Sequence, residues 1–276
     1  MTEDFLLIKD SSSPQILAAE KDFLIVYKAP RMHSAPIPNS TGETILEWCI
    51  SEFPEIANLP GRRPGEGGLL HRLDYDTQGL LLLARSRKGM SSFLEQQKQG
   101  KIIKEYSAFA MKSKMALQGF PIDKPELPLW VFSGGDGKDY RALIKSAFRP
   151  YGPGRKAVRP ATLENIQGEK WTGKKKRDIT LDGSEQYLTE IIKSQCLSAG
   201  IISLRIMIYR GFRHQIRSHL CWLGLPILND SLYGGPSYGR DFLGLRACSI
   251  SFTDPASGRE RCFSIPPLEL DEISDR

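Results

Sequence analysis

The segment that decides the fold joins a polar turn to an apolar run. It reads His71-Arg72-Leu73-Asp74-Tyr75-Asp76-Thr77-Gln78-Gly79-Leu80-Leu81-Leu82-Leu83-Ala84-Arg85. The run at 80–84 is typical of a buried strand, and Asp74 stands in the turn before it. A carboxylate held at the mouth of a buried strand is a frequent position for a nucleophile or a general base. The alternative is that Asp74 or Asp76 only orders the turn by accepting backbone N–H bonds.

The composition is that of a folded globular protein. The chain has 276 residues, 40% hydrophobic and 25% charged, which is enough for one large domain or two small ones. Its apolar runs are far shorter than the roughly 20 residues of a membrane span, and its first residues lack the basic region of a secretory signal. Five scattered cysteines without a Cys-x-x-Cys pair favour a reduced compartment. We therefore expect a soluble, monomeric, cytoplasmic protein with no membrane partner.

Positive charge is concentrated in one part of the chain. The formal net charge is +6, and residues 138–177 carry twelve Lys or Arg against three acidic residues, a net of +9 that leaves −3 for the rest. A basic segment on a slightly acidic body suggests a polyanionic partner. The alternative is a solvated insertion whose charge only maintains solubility.

Periodicity and turn residues predict an α+β fold with a mostly antiparallel sheet. Strands are expected at 22–28, 80–84, 102–111, 186–194 and 202–208, with shorter ones up to 265, and helices at 43–53, 86–99 and 213–223. Strands outnumber helices and hairpin-scale spacing dominates, which favours antiparallel pairing. Residues 1–20 are predicted to be irregular, and the acidic tail from 269 to be frayed.

A second motif lies far downstream. It reads Arg210-Gly211-Phe212-Arg213-His214-Gln215-Ile216-Arg217-Ser218-His219-Leu220. Ile216 and Leu220 belong to a buried helical stripe. The arginines near the helix start, with His214 beside them, could hold phosphates bidentately or pair with a carboxylate. The alternative is a surface helix with ordinary charged residues.

Two other kinds of site do not fit these residues. His214 and His219 are five positions apart, so they do not share a helix face, and no glutamate lies between them as in zinc proteases. We therefore expect no metal site. A serine hydrolase of the α/β type is excluded because the chain lacks a Gly-x-Ser-x-Gly elbow.

Arg217 is a candidate cation to keep a buried Asp74 ionised.

Together the two motifs resemble those of the RluA-type pseudouridine synthases. The first is similar to the family pattern His-Arg-Leu-Asp-x-x-Thr-Ser-Gly-Leu-Leu-Leu-Leu, and the second to Thr-Gly-Arg-x-His-Gln-Ile-Arg, continued at 224–234. Lys28-Ala29-Pro30 and Lys104-Glu105-Tyr106-Ser107-Ala108 resemble two further motifs of the family. The matches occur in family order and cover about residues 22–265.

The resemblance implies a pseudouridine synthase-like catalytic domain, whose mixed, mostly antiparallel sheet is flanked by helices. The domain would occupy 22–268, with a basic insertion at about 138–177, an N-terminal extension at 1–21 and an acidic tail at 269–276. Such an enzyme isomerises uridine to pseudouridine in tRNA or rRNA, using a flipped-out base and no cofactor. Asp74 would be the catalytic aspartate, Tyr106 would stack on the target base and assist loss of its C5 proton, and Arg217 would pair with Asp74.

RNA contacts are implied for further residues. Arg72 would reach into the RNA helix and hold the target nucleotide out. The second motif offers Arg210, Arg213 and His214 for the phosphates. In the basic segment, Lys174, Lys175, Lys176 and Arg177 are RNA-binding candidates on the ground of charge alone.

The chain departs from the family pattern at two places. Gln78 stands where the family has serine, and Arg210-Gly211-Phe212-Arg213 stands where the family has Thr-Gly-Arg-Thr. The departures concern substrate contacts more than chemistry, because the aspartate, tyrosine and helix arginine match. Two other functions stay open from the residues: a nucleic-acid glycosidase that releases the base, and a non-catalytic RNA-binding protein on the same scaffold.

Overall fold

The computed structural model describes residues 2–37, 42–61, 65–114, 117–121, 124–125, 142–162, 186–239 and 242–273. The chain divides into two compact units, and each is described by itself. The first unit comprises Met1–Ser107 and Leu245–Leu268, and the second comprises Ala108–Gly244 and Glu269–Arg276. No helix among the described residues is long and apolar enough to cross a membrane.

Strands predominate over helices in both units. The strands are β1 (Thr2–Phe5), β2 (Gln15–Ala19), β3 (Phe23–Lys28), β4 (Gln78–Ala84), β5 (Ile103–Met111), β6 (Ala142–Tyr151), β7 (Ala157–Ala161), β8 (Tyr187–Cys196), β9 (Ile201–Ile208), β10 (Leu245–Thr253) and β11 (Glu260–Ser264). The α-helices are α1 (Ile45–Glu52), α2 (Arg87–Lys98) and α3 (Gln215–Trp222).

The sheet of the first unit is mixed and has β4 near its centre. Its strand order is β2-β3-β4-β10-β5, with β11 also beside β10 and β1 beside β11. β3 and β4 are antiparallel, whereas β4 and β10 are parallel, with Gln78 opposite Arg246 and Gly79 opposite Ala247. Gly79 has φ +123°, and a Cβ there would lie 2.2 Å from the Ala247 carbonyl oxygen. Only glycine therefore permits this close approach.

Helix α2 closes one face of this sheet. Ser86 caps the helix by accepting a hydrogen bond from the Gly89 N–H at 2.9 Å. The ring of Phe93 on α2 packs edge-on against Phe252 of β10 at 5.2 Å and against Phe23 of β3 at 6.0 Å. The seven residues of β4 are all buried, which explains why its sequence is an unbroken apolar run rather than an alternating one.

The second unit contains the strand order β5-β9-β8-β6-β7, with antiparallel pairing of β9 with β8, β8 with β6, and β6 with β7. Helix α3 packs on this sheet and is buried along its whole length. The His219 ring of α3 is hydrogen-bonded to Ser146 of β6 at 2.9 Å and to Thr189 of β8 at 2.8 Å. Strand hydroxyls thus anchor the helix to the sheet.

The predicted α+β fold with a mixed, mostly antiparallel sheet flanked by helices is confirmed. Three local predictions are wrong. Residues 1–20 are not irregular, because they contain β1, which pairs with β11, and β2, which pairs with β3. The acidic tail is not frayed through 273, because Glu269 and Glu272 form a capping box and Ile273 is fully buried. The third helix begins at Gln215 rather than at 213, because His214 has the left-handed φ of 55°.

The basic segment is only partly described. Its first part forms β6 and β7, two paired strands of the second unit, rather than a solvated insertion. Lys174, Lys175, Lys176 and Arg177 lie outside the described residues. The predicted domain boundaries at 22 and 268 stay a prediction.

Candidate active site

The turn that carries Asp74 is held by its neighbours on both sides. The Thr77 N–H donates to the Asp74 carbonyl at 3.1 Å and closes the turn just before β4. On the other side, the Ser34 hydroxyl donates to the Leu73 carbonyl at 2.8 Å and accepts from the Leu73 N–H at 3.0 Å. Asp74 itself is half-buried. Its carboxylate therefore projects from a backbone whose position is set by a strand and a second loop.

A buried lysine supports the same turn from the end of β3. Lys28 is fully buried, and its ammonium donates to the carbonyls of Ala29 at 2.8 Å, Met32 at 2.7 Å and Tyr75 at 3.1 Å. Three carbonyl acceptors match the three donors of an ammonium group. Burial lowers the pKa of Lys28 to about 7, while the negative charges of Asp74 and Asp76 act in the opposite direction.

Tyr106 belongs to the same site as Asp74. It lies on β5 and is buried, with 6% of its surface exposed. Burial, followed by the negative charge of Asp74 and the Cys248 thiol, raises the pKa of the Tyr106 phenol well above its usual value. The phenol is therefore neutral at physiological pH. The structure thus brings together the predicted Asp74 and Tyr106, and adds Lys28.

Sequence reasoning assigned no role to Lys28. The available signal was a lysine that directly follows the apolar run at 23–27, which predicts a buried strand. A buried cation needs acceptors or an anion, so that position pointed to a polar partner.

Arg72, two positions before Asp74, is exposed. Its side chain is 46% exposed and lies 3.3 Å from the largely buried carboxylate of Glu66. The neighbouring His71 accepts a hydrogen bond from the Leu82 N–H at 3.2 Å. The loop before Asp74 is thereby fastened to β4, while the Arg72 guanidinium is accessible.

In the second unit, Arg217 is held by a carboxylate of its own surroundings. Its Nε and one terminal nitrogen each donate at 2.8 Å to the two oxygens of Asp230. Both side chains are buried, with exposures of 7% and 0%. The guanidinium also lies 5.3 Å from the centre of the Tyr233 ring. The predicted pairing of Arg217 with Asp74 stays a prediction.

A sequence model described as RNA pseudouridylate synthase matches residues 22–222. The chain belongs to this family. This confirms the resemblance drawn from the motifs.

Relatives of the chain carry the same family name. It is 28% identical over 240 residues to an uncharacterized RNA pseudouridine synthase of Chloroflexus aurantiacus, covering 85% of this chain and 60% of that protein. It is 26% identical over 270 residues to the ribosomal large subunit pseudouridine synthase D of Vibrio parahaemolyticus, covering 92% of this chain and 67% of that protein. The chain thus spans about two thirds or less of these two relatives.

Solved structures support the fold. Human RNA pseudouridylate synthase domain containing 1 superposes with a TM-score of 0.56 at 19% identity, covering 92% of this chain and 84% of that one. Human RNA pseudouridylate synthase domain containing 4 superposes with a TM-score of 0.54 at 16% identity, covering 92% of this chain and 88% of that one. These likenesses establish that this member of the RNA pseudouridylate synthase family has the fold of these domains.

The first departure from the family motif has a structural explanation. The Gln78 side-chain oxygen accepts hydrogen bonds from the Tyr27 hydroxyl at 2.7 Å and from the Arg246 guanidinium at 2.9 Å. Both Gln78 and Arg246 are buried. Gln78 therefore ties the start of β4 to its two neighbouring strands.

The second departure serves packing in the second unit. Phe212 stacks on Phe148 at 5.1 Å with an interplanar angle of 8° and also contacts Tyr187 at 5.0 Å. Arg213 donates to the Arg155 carbonyl at 2.7 Å and the Ala157 carbonyl at 3.2 Å.

The other two predicted RNA-binding residues of this motif lie on either side of Phe212. His214 is hydrogen-bonded to the Tyr233 hydroxyl at 3.1 Å, which favours a role in positioning. Arg210 is exposed, with its guanidinium 6.0 Å from the centre of the Tyr187 ring. The exposure of Arg210 is compatible with a phosphate contact.

Proposed function

We propose that this chain isomerises uridine to pseudouridine in RNA, with Asp74 as the catalytic carboxylate. The observation that carries the proposal is the position of Asp74 on a turn that hydrogen bonds hold at the start of β4. There its charge lies close enough to the buried Tyr106 phenol to help raise the pKa of that group. A carboxylate beside a neutral, buried aromatic ring is a suitable arrangement for attack on a base or sugar that is stacked on that ring. Family membership supports the same reaction.

The proposed reaction rearranges the nucleotide without net loss or gain of atoms. The bond from N1 of uracil to C1′ breaks, the base turns, and a bond from C5 to C1′ forms. The hydrogen on C5 leaves as a proton, and N1 gains one. Asp74 would act as the nucleophile: its carboxylate would bond to the sugar or the base of the nucleotide, and that bond would break again when pseudouridine forms, which regenerates the carboxylate. Tyr106 would hold the base by stacking while its hydroxyl stays protonated. Arg72, accessible beside the turn, would help hold the nucleotide out of its helix.

Ribosomal RNA is the substrate to test first. One of the relatives described above is named a ribosomal large subunit pseudouridine synthase, and for that reason we test ribosomal RNA before transfer RNA. The exposed Arg210 would contribute a phosphate contact, and the lysines at 174–176 remain candidates on charge alone.

The test is release of the C5 hydrogen from RNA labelled with C5-tritiated uridine. Unmodified large-subunit ribosomal RNA and bulk transfer RNA are incubated in parallel with wild type, Asp74→Ala and Asp74→Asn. Release by the wild type and loss of release in both variants is the expected result. Asp74→Asn is the matched control because it keeps size and polarity while removing the charge. Free uracil without tritium release would indicate a glycosidase and overturn the proposal.

A further inference from the structure

An exposed aromatic ring lies directly after the proposed nucleophile. Tyr75 has 45% of its surface exposed. It follows Asp74 in the chain and precedes Asp76. The catalytic steps proposed above make no use of it. An exposed aromatic side chain beside a site for nucleic acid is a natural surface for base stacking.

The backbone beneath this ring is fixed. The Tyr75 carbonyl accepts a hydrogen bond from the buried Lys28 ammonium at 3.1 Å. The turn around it is closed by the 3.1 Å bond from the Thr77 N–H to the Asp74 carbonyl. The ring therefore stands on a segment that is anchored from below, and little backbone entropy is lost when it binds a partner.

The ring is also supported from the side. The centre of the His33 ring lies 4.6 Å from that of Tyr75, with an interplanar angle of 42°. His33 is held in turn, because its carbonyl accepts from the Ile45 N–H at 3.0 Å and the next residue, Ser34, exchanges two hydrogen bonds with Leu73. Two half-exposed rings on fixed loops thus form a preorganised aromatic pair beside Asp74.

We propose that Tyr75, braced by His33, is a stacking platform for a nucleobase next to the target uridine. This inference rests on the proposed function and adds a binding subsite to it. A uridine that leaves its helix exposes the faces of its neighbouring bases. The ring adjacent to Asp74 can cover one of those faces, and a stack tolerates any base because each base has a π face. Tyr75 is therefore a binding residue rather than a catalytic one.

The experiment compares RNA binding with catalysis in three variants. Tyr75→Ala removes the ring, Tyr75→Phe keeps it, and Leu94→Ala changes an exposed side chain of α2 as the control. Binding is measured by fluorescence anisotropy with a labelled, unmodified large-subunit ribosomal RNA fragment that contains a uridine modified by the wild type. If the wild type modifies no uridine in ribosomal RNA, a labelled unmodified transfer RNA is used. Catalysis is measured as the single-turnover rate of tritium release at saturating RNA.

We expect Tyr75→Ala to weaken binding by roughly five- to 150-fold, the range for loss of one base–aromatic stack, and to leave the saturated rate within about twofold. Tyr75→Phe and Leu94→Ala should bind like the wild type. An abasic nucleotide beside the target uridine should weaken binding by the wild type and have little further effect on Tyr75→Ala, because the stack is already absent there.

The outcomes separate the two proposals. If the wild type isomerises uridine but Tyr75→Ala binds like the wild type, the platform is overturned and the function stands. If no isomerisation occurs but loss of the ring still weakens binding, the function fails, and Tyr75 is an RNA contact without a target uridine beside it. Equal weakening in Tyr75→Phe and Tyr75→Ala would show that the ring does not act by stacking.

Discussion

Arg217 and Asp230 form a buried, bidentate ion pair, with two nitrogens of the guanidinium each 2.8 Å from a carboxylate oxygen. Asp230 also accepts from the Tyr233 N–H at 3.3 Å, so the carboxylate is itself positioned by the short helix at Ser231–Tyr233. The arginine of the second motif is thus oriented by a residue thirteen positions further along the chain.

Removal of one partner of this pair should strongly destabilise the protein. Asp230→Asn leaves the buried guanidinium without a counter-charge, and we expect the free energy of unfolding to fall by about 3–5 kcal/mol. Urea denaturation measures this. The double variant Arg217→Met/Asp230→Leu should lose less stability than the sum of the losses in Arg217→Met and Asp230→Leu, because it removes both charges together. Strict additivity would show that the two side chains are not energetically coupled.

The buried lysine should make the protein more stable as the pH rises above 7. The pKa of Lys28 is lowered by burial from 10.5 to about 7 in the folded chain. Between these values the unfolded chain binds more protons at this position than the folded chain does, so stability rises as pH increases. One titrating group can change the free energy of unfolding by at most about 1.4 kcal/mol for each pH unit.

The comparison of wild type with Lys28→Met isolates this effect, since other groups titrate in both proteins. We expect the difference in unfolding free energy, wild type minus variant, to increase between pH 7 and pH 10. A difference that stays constant over this range would contradict the lowered pKa.

The buried histidine of α3 should make the protein less stable as the pH falls. His219 is fully buried and burial lowers its pKa from 6.5 to about 3. From pH 6.5 down to pH 3 the unfolded chain takes up a proton that the folded chain refuses, so stability is lost as pH falls. His219→Gln retains a polar side chain that can bond to Ser146 and Thr189. Thermal unfolding from pH 7 to pH 4 should show a shallower loss in this variant than in the wild type, and parallel curves would refute the assignment.

Removal of two hydroxyls near the Asp74 turn should have different effects on the stability of the protein. Thr77 Oγ1 is buried and has no hydrogen-bond partner among the described residues, whereas Ser34 Oγ makes two hydrogen bonds to Leu73. Thr77→Val removes an unsatisfied polar group, so we expect an unchanged or higher melting temperature. Ser34→Ala leaves two buried backbone groups unpaired and should cost about 1–3 kcal/mol.

Calorimetry of both variants at neutral pH makes the comparison. A loss of stability in Thr77→Val as large as that in Ser34→Ala would mean that the Thr77 hydroxyl is bonded in solution, for example to a buried water molecule.

The sequence alone determined the elements whose signals are local. β4 follows from its apolar run, α2 from its capping serine, and the family from motifs whose residues are contiguous. Asp74 and Tyr106 were predicted for one site because both lie within such motifs. Local signals report which residues are buried and where an element begins, because these depend on neighbours within a few positions.

Only the tertiary structure decided which distant groups meet. Gln78 accepts from Tyr27, 51 positions earlier, and from Arg246, 168 positions later, while Lys28 reaches the Tyr75 carbonyl across 47 positions. Periodicity assigns a residue to a face but does not specify the strand or loop that lies opposite. That choice depends on sheet order and register, which place β10 beside β4 and bring β3 to the base of the Asp74 turn.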